Sequence, residues 1–320
     1  EFKPNTTNTK CNAQATEPRM IKIIRVVVHL SQSKFVTKKS MCKFCKMLYI
    51  QLMILIFDIS KYNALKSSYL RIYGGRDADV NKFPFAVAME ECFTEIKNGV
   101  QIFTYLPLCS ASALSSKWML TAAHCIKPTQ NSKLVIRYTS KTGEQHRRDI
   151  LLMITYPNLF LWISPFMTKN DIALLKTMDV QLPFYAKLSS VDYTALIGHE
   201  AVYLGYGVTK TNDQMRGIIP KNLTLKMMDV MLLKCDEVFV QVSPSICTVP
   251  KCGLKEFLCP GDSGGPVLHS SGVIGVHSAS IGCMVEKNNL LFNRYNYAAI
   301  DAPVSPYIDW ITHEIKKYSP

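Results

Sequence analysis

No apolar run in this chain reaches the ~20 residues that carry a helix across a bilayer, so a stable membrane span is not expected. The compact run that is present, Met47 to Phe57, stops well short of that length. Acidic residues are scarce at the front. Residues 1–71 hold 13 Lys/Arg against 3 Asp/Glu, which accounts for +10 of the chain's +13, while residues 72–320 hold 24 against 21. The basic excess therefore belongs to the leader and not to a face of the body, which argues against a nucleic-acid partner. A second Cys-x-x-Cys pair is also missing. Cys42-Lys43-Phe44-Cys45 stands alone, so neither a zinc site nor a redox pair is read there, and no metal or cofactor is expected. Finally, no long amphipathic helix interrupts the body until its last residues. Short strands are left as the building material.

The segments that remain order themselves along the chain. Residues 1–40 are basic and polar apart from Ile21 to Leu30 and carry no chemical motif. They are read either as a disordered extension or as sequence outside the native protein. Residues 41–64 run basic, then apolar, then polar, with Ala64 as a small residue near a cleavage point, which is the layout of a secretory signal peptide. Residues 65–71 form a short linker ending in Arg71, followed by Ile72-Tyr73-Gly74-Gly75. The body, 72–320, is rich enough in apolar residues to build a sizeable core, since these make up 48% of the chain. Short apolar or alternating runs recur at Phe85 to Met89, Gln101 to Tyr105, Leu134 to Tyr138, Ile150 to Thr155, Ala201 to Leu204, Leu223 to Val230 and Val273 to His277, separated by Gly, Pro, Asn and Ser clusters. That spacing predicts an all-β sandwich or barrel. At the end, Ser305-Pro306 fits a helix cap and first position, and Ile308, Ile311 and Ile315 recur at helical spacing.

One stretch organises the rest: Gly261-Asp262-Ser263-Gly264-Gly265-Pro266. Glycines allow a sharp turn and close backbone approach, which lifts a serine hydroxyl into the open and aims nearby amides at one point. A serine hydroxyl needs a base, and neutral imidazole steadied by a carboxylate supplies one. The chain offers both, in Thr121-Ala122-Ala123-His124-Cys125 and in Asn170-Asp171-Ile172-Ala173-Leu174-Leu175.

These motifs, in the order His124, Asp171, Ser263 and with Cys109 and Cys125 bracketing the histidine segment, resemble those of the chymotrypsin-like serine proteases over about residues 72–320. The resemblance implies two six-stranded antiparallel Greek-key barrels with a C-terminal helix. His124 and Asp171 would lie on the first barrel, Ser263 on the second, with Thr177 to Glu200 as the crossover. It implies a secreted endopeptidase acting on protein or peptide substrates, open to protein protease inhibitors, and made as a zymogen. An activating protease would cut after Arg71 and free Ile72 to pair with Asp262. The amides of Gly261 and Ser263 would form the oxyanion hole, and Ser278 would lie near Asp171.

Disulfides are implied for Cys109–Cys125, Cys235–Cys247 and Cys259–Cys283. One common family bridge is missing on both sides, where Ala201 and His269 stand. Cys92 and Cys252 are left either paired with each other or free. The substrate pocket departs from the family. Phe257 occupies the floor position where trypsin-like members carry an aspartate, and Ala279 and Ser280 replace the usual aromatic and glycine of the wall. Cleavage after Arg or Lys by the ordinary route is therefore not expected. Asp301 falls where a pocket tyrosine is usual. It either places a carboxylate near the floor or faces solvent, the latter being the expectation. A catalytically weak, protease-fold binding or regulatory protein is the alternative.

Overall fold

The computed structural model describes residue 72 and residues 75–126, 132–157, 160–161, 168–207, 224–235, 244–251, 258–259, 261–280 and 299–319. In chain order the strands are β1 (Arg76–Asp77), β2 (Ala86–Lys97), β3 (Val100–Ala113), β4 (Trp118–Thr121), β5 (Ser132–Thr139), β6 (Gln145–Thr155), β7 (Phe160–Leu161), β8 (Thr168–Lys169), β9 (Ala173–Thr177), β10 (Glu200–Gly205), β11 (Lys226–Leu233), β12 (Ile246–Pro250), β13 (Pro266–His269), β14 (Gly272–Ser280) and β15 (Ala299–Pro303). A helix, α1 (Ile308–Tyr318), closes the described chain.

Strands β2-β3-β4-β9-β6-β5 close into a six-stranded antiparallel barrel. Its first hairpin extends well beyond the apolar runs that mark it in the sequence, because the tip is exposed and polar patterning weakens there. Asn98 and Gly99 turn it, with φ 53° and 76°. Positive φ at both central residues is what a tight hairpin of matching twist requires, and Asn-Gly is the pair that tolerates it. The second sheet runs β1-β11-β10-β13-β14-β15-β12, and β11 also pairs with β12. The six strands from β11 to β12 thus form a ring, with β1 added at its side as a seventh strand. The fold is all-β, two six-stranded barrel-like sheets plus a C-terminal helix.

Each sheet rolls around its own apolar filling. Met89, Met119, Leu120, Ile136, Leu174 and Leu175 fill the first. Tyr203, Met228, Val230, Leu232, Ile246 and Ile274 fill the second, and Ile72 joins them fully buried. Such sealed aliphatic side chains each contribute about 1.5–3 kcal/mol relative to exposure. The crossover between β9 and β10 occupies the predicted span. The helix start differs from expectation. Ser305 opens a short 3-10 turn, Ser305–Tyr307, capped by Val304 without a side-chain bond. The Ser305 hydroxyl instead accepts from the Tyr193 amide at 3.1 Å. Among the described residues, no helix is long and apolar enough to cross a membrane.

Candidate active site

His124 lies on a short 3-10 turn, Ala123–Ile126, that leaves the end of β4. Asp171 sits just before β9, the neighbour of β4 in the first barrel. Pairing of those two strands carries the residues together across 47 positions of chain. Asp171 Oδ2 lies 2.6 Å from His124 Nδ1, and Oδ1 accepts from the His124 amide at 2.8 Å. The Ser278 hydroxyl, on β14 of the second sheet, donates to Asp171 Oδ2 at 2.5 Å. The carboxylate is 1% exposed. Burial alone would raise its pKa, but the charge of His124 and the donors from His124 and Ser278 outweigh it and hold Asp171 below the ordinary carboxylate range. A carboxylate so held fixes the imidazole with Nδ1–H toward it and leaves Nε2 to act as base.

The described contacts of the Ser263 loop run through the backbone. The Ser110 amide donates to the Ser263 carbonyl at 2.7 Å, and the Ser110 hydroxyl donates to the Gly261 carbonyl at 3.0 Å. Ser110 follows Cys109, which is bonded to Cys125 next to His124. From the other side, the Gly264 amide donates to the His277 carbonyl at 2.7 Å, and the His277 amide donates to Gly265 at 2.9 Å. Ser263 thus shares a frame with His124 through Ser110, and with Asp171 through His277 and Ser278. Gly261 takes φ 97° and Gly264 φ 78°, the left-handed region in which glycine is at ease. Asp262 is buried and accepts from the amides of Gly207 at 2.9 Å and Cys259 at 3.0 Å.

Several supporting residues carried no signal in the sequence reading. Ser110 is one. Asn170 is another, held at φ 57° beside Asp171. Its Oδ1 accepts from the Tyr307 hydroxyl at 2.9 Å, so the C-terminal segment braces the carboxylate loop. Asparagine's tolerance of positive φ was the available clue.

Asp301 requires a correction. It does not face solvent: it is 1% exposed, with Oδ1 3.0 Å from His277 Nδ1 and Oδ2 accepting from the Tyr203 hydroxyl. Tyr203 lies 2.7 Å from the Thr248 hydroxyl, which completes the group. Burial raises the Asp301 pKa, opposed by these hydrogen bonds and the charge of His277, and burial also drives the Tyr203 phenol well upward.

Of the residues expected to line the pocket, Ser280 donates to the Leu258 carbonyl at 2.7 Å and Ala279 is half-buried on β14. Phe257 lies outside the described residues, as does Arg71. Cys109–Cys125 and Cys235–Cys247 are bridged. Cys259 is also disulfide-bonded, and its expected partner Cys283 lies outside the described residues. Cys92 is a buried free thiol; Cys252 lies outside the described residues. The cluster Cys109, His124, Cys125 has metal-like spacing, but both sulfurs are consumed by the disulfide.

Comparison with known proteins places the chain's fold and family. Residues 72–311 match the sequence model of the Trypsin family. The chain is similar to chymotrypsin-like elastase family member 1 of Canis lupus familiaris, 27% identical over 81% of this chain and 95% of that protein. It is also similar to chymotrypsin-C of Rattus norvegicus, 25% identical over 77% of this chain and 89% of that protein. Among solved structures it resembles neuropsin, a serine protease expressed in the limbic system of mouse brain. That match has a TM-score of 0.55 and 17% identity, and it covers 75% of this chain and 98% of that one.

Proposed function

This chain belongs to the Trypsin family and is a serine protease acting on protein substrates; on that premise we propose that it is a secreted endopeptidase, made as a zymogen, that works through Ser263, His124 and Asp171. The Ser263 hydroxyl attacks the substrate carbonyl as its proton passes to His124 Nε2. The amides of Gly261 and Ser263 receive the oxyanion, each such donor stabilising the transition state by roughly 3 kcal/mol. His124 then protonates the departing amine as the C–N bond breaks, and water repeats the sequence on the acyl-enzyme. Asp171 orients the imidazole and balances its charge. The observation that carries this reading is the buried carboxylate gripped by His124 and Ser278 from the two sheets.

Phe257, at the sequence position where trypsin-like members carry an aspartate, supports a preference other than Arg or Lys. Cleavage after Arg71 starts activity, by freeing Ile72 to pair with Asp262. The test is a serine-reactive phosphonate on protein processed at Arg71. Labelling that disappears in Ser263→Ala is the expected result. Correctly processed, folded protein that resists labelling would instead favour a binding or regulatory protein of the same fold. A peptide library varied at the residue before the cut bond checks specificity, and a dominant Arg/Lys preference overturns the assignment drawn from Phe257.

A further inference from the structure

Away from the cleft, His199 and His269 meet across the second sheet. His199 Nδ1 lies 3.4 Å from His269 Nε2. The register explains the encounter. Val202 faces Leu268 and Tyr203 faces Val267 in the antiparallel β10–β13 pair, which sets Ala201 opposite His269. His199 precedes Ala201 by two residues and so shares its side of the strand. These are the two strands, and at Ala201 and His269 the two positions, where the sequence departs from the family's paired cysteines.

We propose that His199 and His269 form a two-histidine site for a divalent transition-metal ion, of which zinc is the first to test, linking the start of β10 to the end of β13. Zinc–imidazole bonds of about 2.0–2.1 Å at a tetrahedral angle place the two nitrogens about 3.3–3.4 Å apart. The observed separation already meets that requirement. The second ring nitrogen of His269 has the outer partner that ligating histidines use: Nδ1 lies 2.8 Å from the Ser271 hydroxyl. Ser271 is in turn 2.8 Å from the hydroxyl of buried Ser189. Gly272, at φ 128°, lets this turn press against the backbone of Lys187 and Ser189, so the His269 side is held before any ion arrives.

The Ser271 amide donates to His269 Nδ1 at 3.2 Å, so without an ion Nδ1 is an acceptor and the ring proton sits on Nε2, toward His199. Binding therefore requires a tautomer switch that moves the proton to Nδ1, toward the Ser271 hydroxyl, and frees Nε2 for the ion. Two protein ligands leave the remaining positions to water, which makes the site a staple of modest affinity rather than a catalytic centre. Its effect is on β13, the strand that starts three residues after Ser263.

The experiment uses the full chain, stripped with EDTA and titrated with zinc chloride under calorimetry and thermal melting. The expected result is one ion per chain and a melting temperature raised by about 5 °C at a hundredfold excess over Kd, with both effects lost in His199→Ala and in His269→Ala. His313→Ala, on the exposed side of α1, retains them. Cobalt-induced shifts of the His199 and His269 ring resonances in the unmutated chain give a readout that does not depend on the variants folding. Absence of these shifts, or a zinc response unchanged in both alanine variants, overturns the proposal.

Discussion

A single hydrogen atom at Gly264 stands between the nucleophile loop and the first barrel. A Cβ there would overlap the Thr121 hydroxyl and the Ser110 carbonyl and crowd the Ala122 amide at 3.1 Å. Those are the groups that set His124 and Ser263 in one frame, since Thr121 bonds the Ser110 carbonyl at 2.9 Å and Ser110 bonds Ser263. Gly264→Ala is expected to lower kcat by about 100-fold or more, as displacements near 1 Å do at a reacting centre. Gly143→Ala is the matched control. It has φ 84° but open space around it, so it should cost about 1 kcal/mol of stability and leave kcat unchanged. Peptide hydrolysis and urea melts of the two variants separate site geometry from backbone strain.

Asp171 gives the residue scale its pH dependence. Its folded pKa lies below the unfolded value, so the unfolded chain binds the extra proton as acid is added. The stabilisation is complete above the unfolded carboxylate pKa, about 3.9. It is lost as pH falls below that through the lowered folded value. Ser278→Ala removes one donor to the carboxylate and lets its pKa rise. The acid limb of melting temperature against pH should then shift to higher pH. An unchanged limb would show that Ser278 contributes nothing to the ionised form.

At the scale of elements, four strands of the second sheet are joined by one buried polar group: Tyr203 on β10, Thr248 on β12, His277 on β14 and Asp301 on β15. The backbone of His277 carries Gly264 and Gly265, so this group underlies the nucleophile loop. Tyr203→Phe removes the hydroxyl that serves both Asp301 and Thr248. Its expected cost is about 1–3 kcal/mol in chemical denaturation. Asp301→Ala strands His277 and Tyr203 together and should cost about 3–5 kcal/mol. Equal, small losses in the two variants would mean that water replaces the carboxylate.

Asp301 also shows where sequence reading stops. Strands are legible from alternation, but β15 is buried at every position from Ala299 to Pro303, so no alternation remains to say which way Asp301 points. The partners that keep it inside lie 24, 53 and 98 residues away. By contrast His124, Asp171 and Ser263 each stand in a local motif whose neighbours are dictated by a turn or a strand mouth, so those residues could be chosen before any coordinates. Ser110 could not, because its role exists only once the two sheets face each other.

In the proposed mechanism the whole molecule divides its labour between the sheets, one supplying acid–base chemistry and the other the nucleophile, and the proposed activation is where their joint order is set. Ile72 is fully buried among Tyr203, Val230 and Leu258 of the second core. Gly75 is packed against it so closely that a Cβ would overlap its side chain. Asp262 is buried beside Gly205 and accepts from Gly207 and Cys259. In the proposed activation, a new ammonium at Ile72 pairs with this carboxylate inside low dielectric, where an ion pair is strong only with close geometry. On the proposed mechanism, cleavage is the event that orders the loop carrying Gly261 and Ser263. Arg71→Gln is therefore expected to yield folded protein that stays uncut and hydrolyses nothing. Asp262→Asn, cut normally, should lose activity by about 100-fold or more while phosphonate labelling of Ser263 falls in parallel, since removing one oxyanion donor alone costs that much. Terminal sequencing verifies the cut at Ile72. Full activity in uncut Arg71→Gln would place the switch elsewhere in the chain.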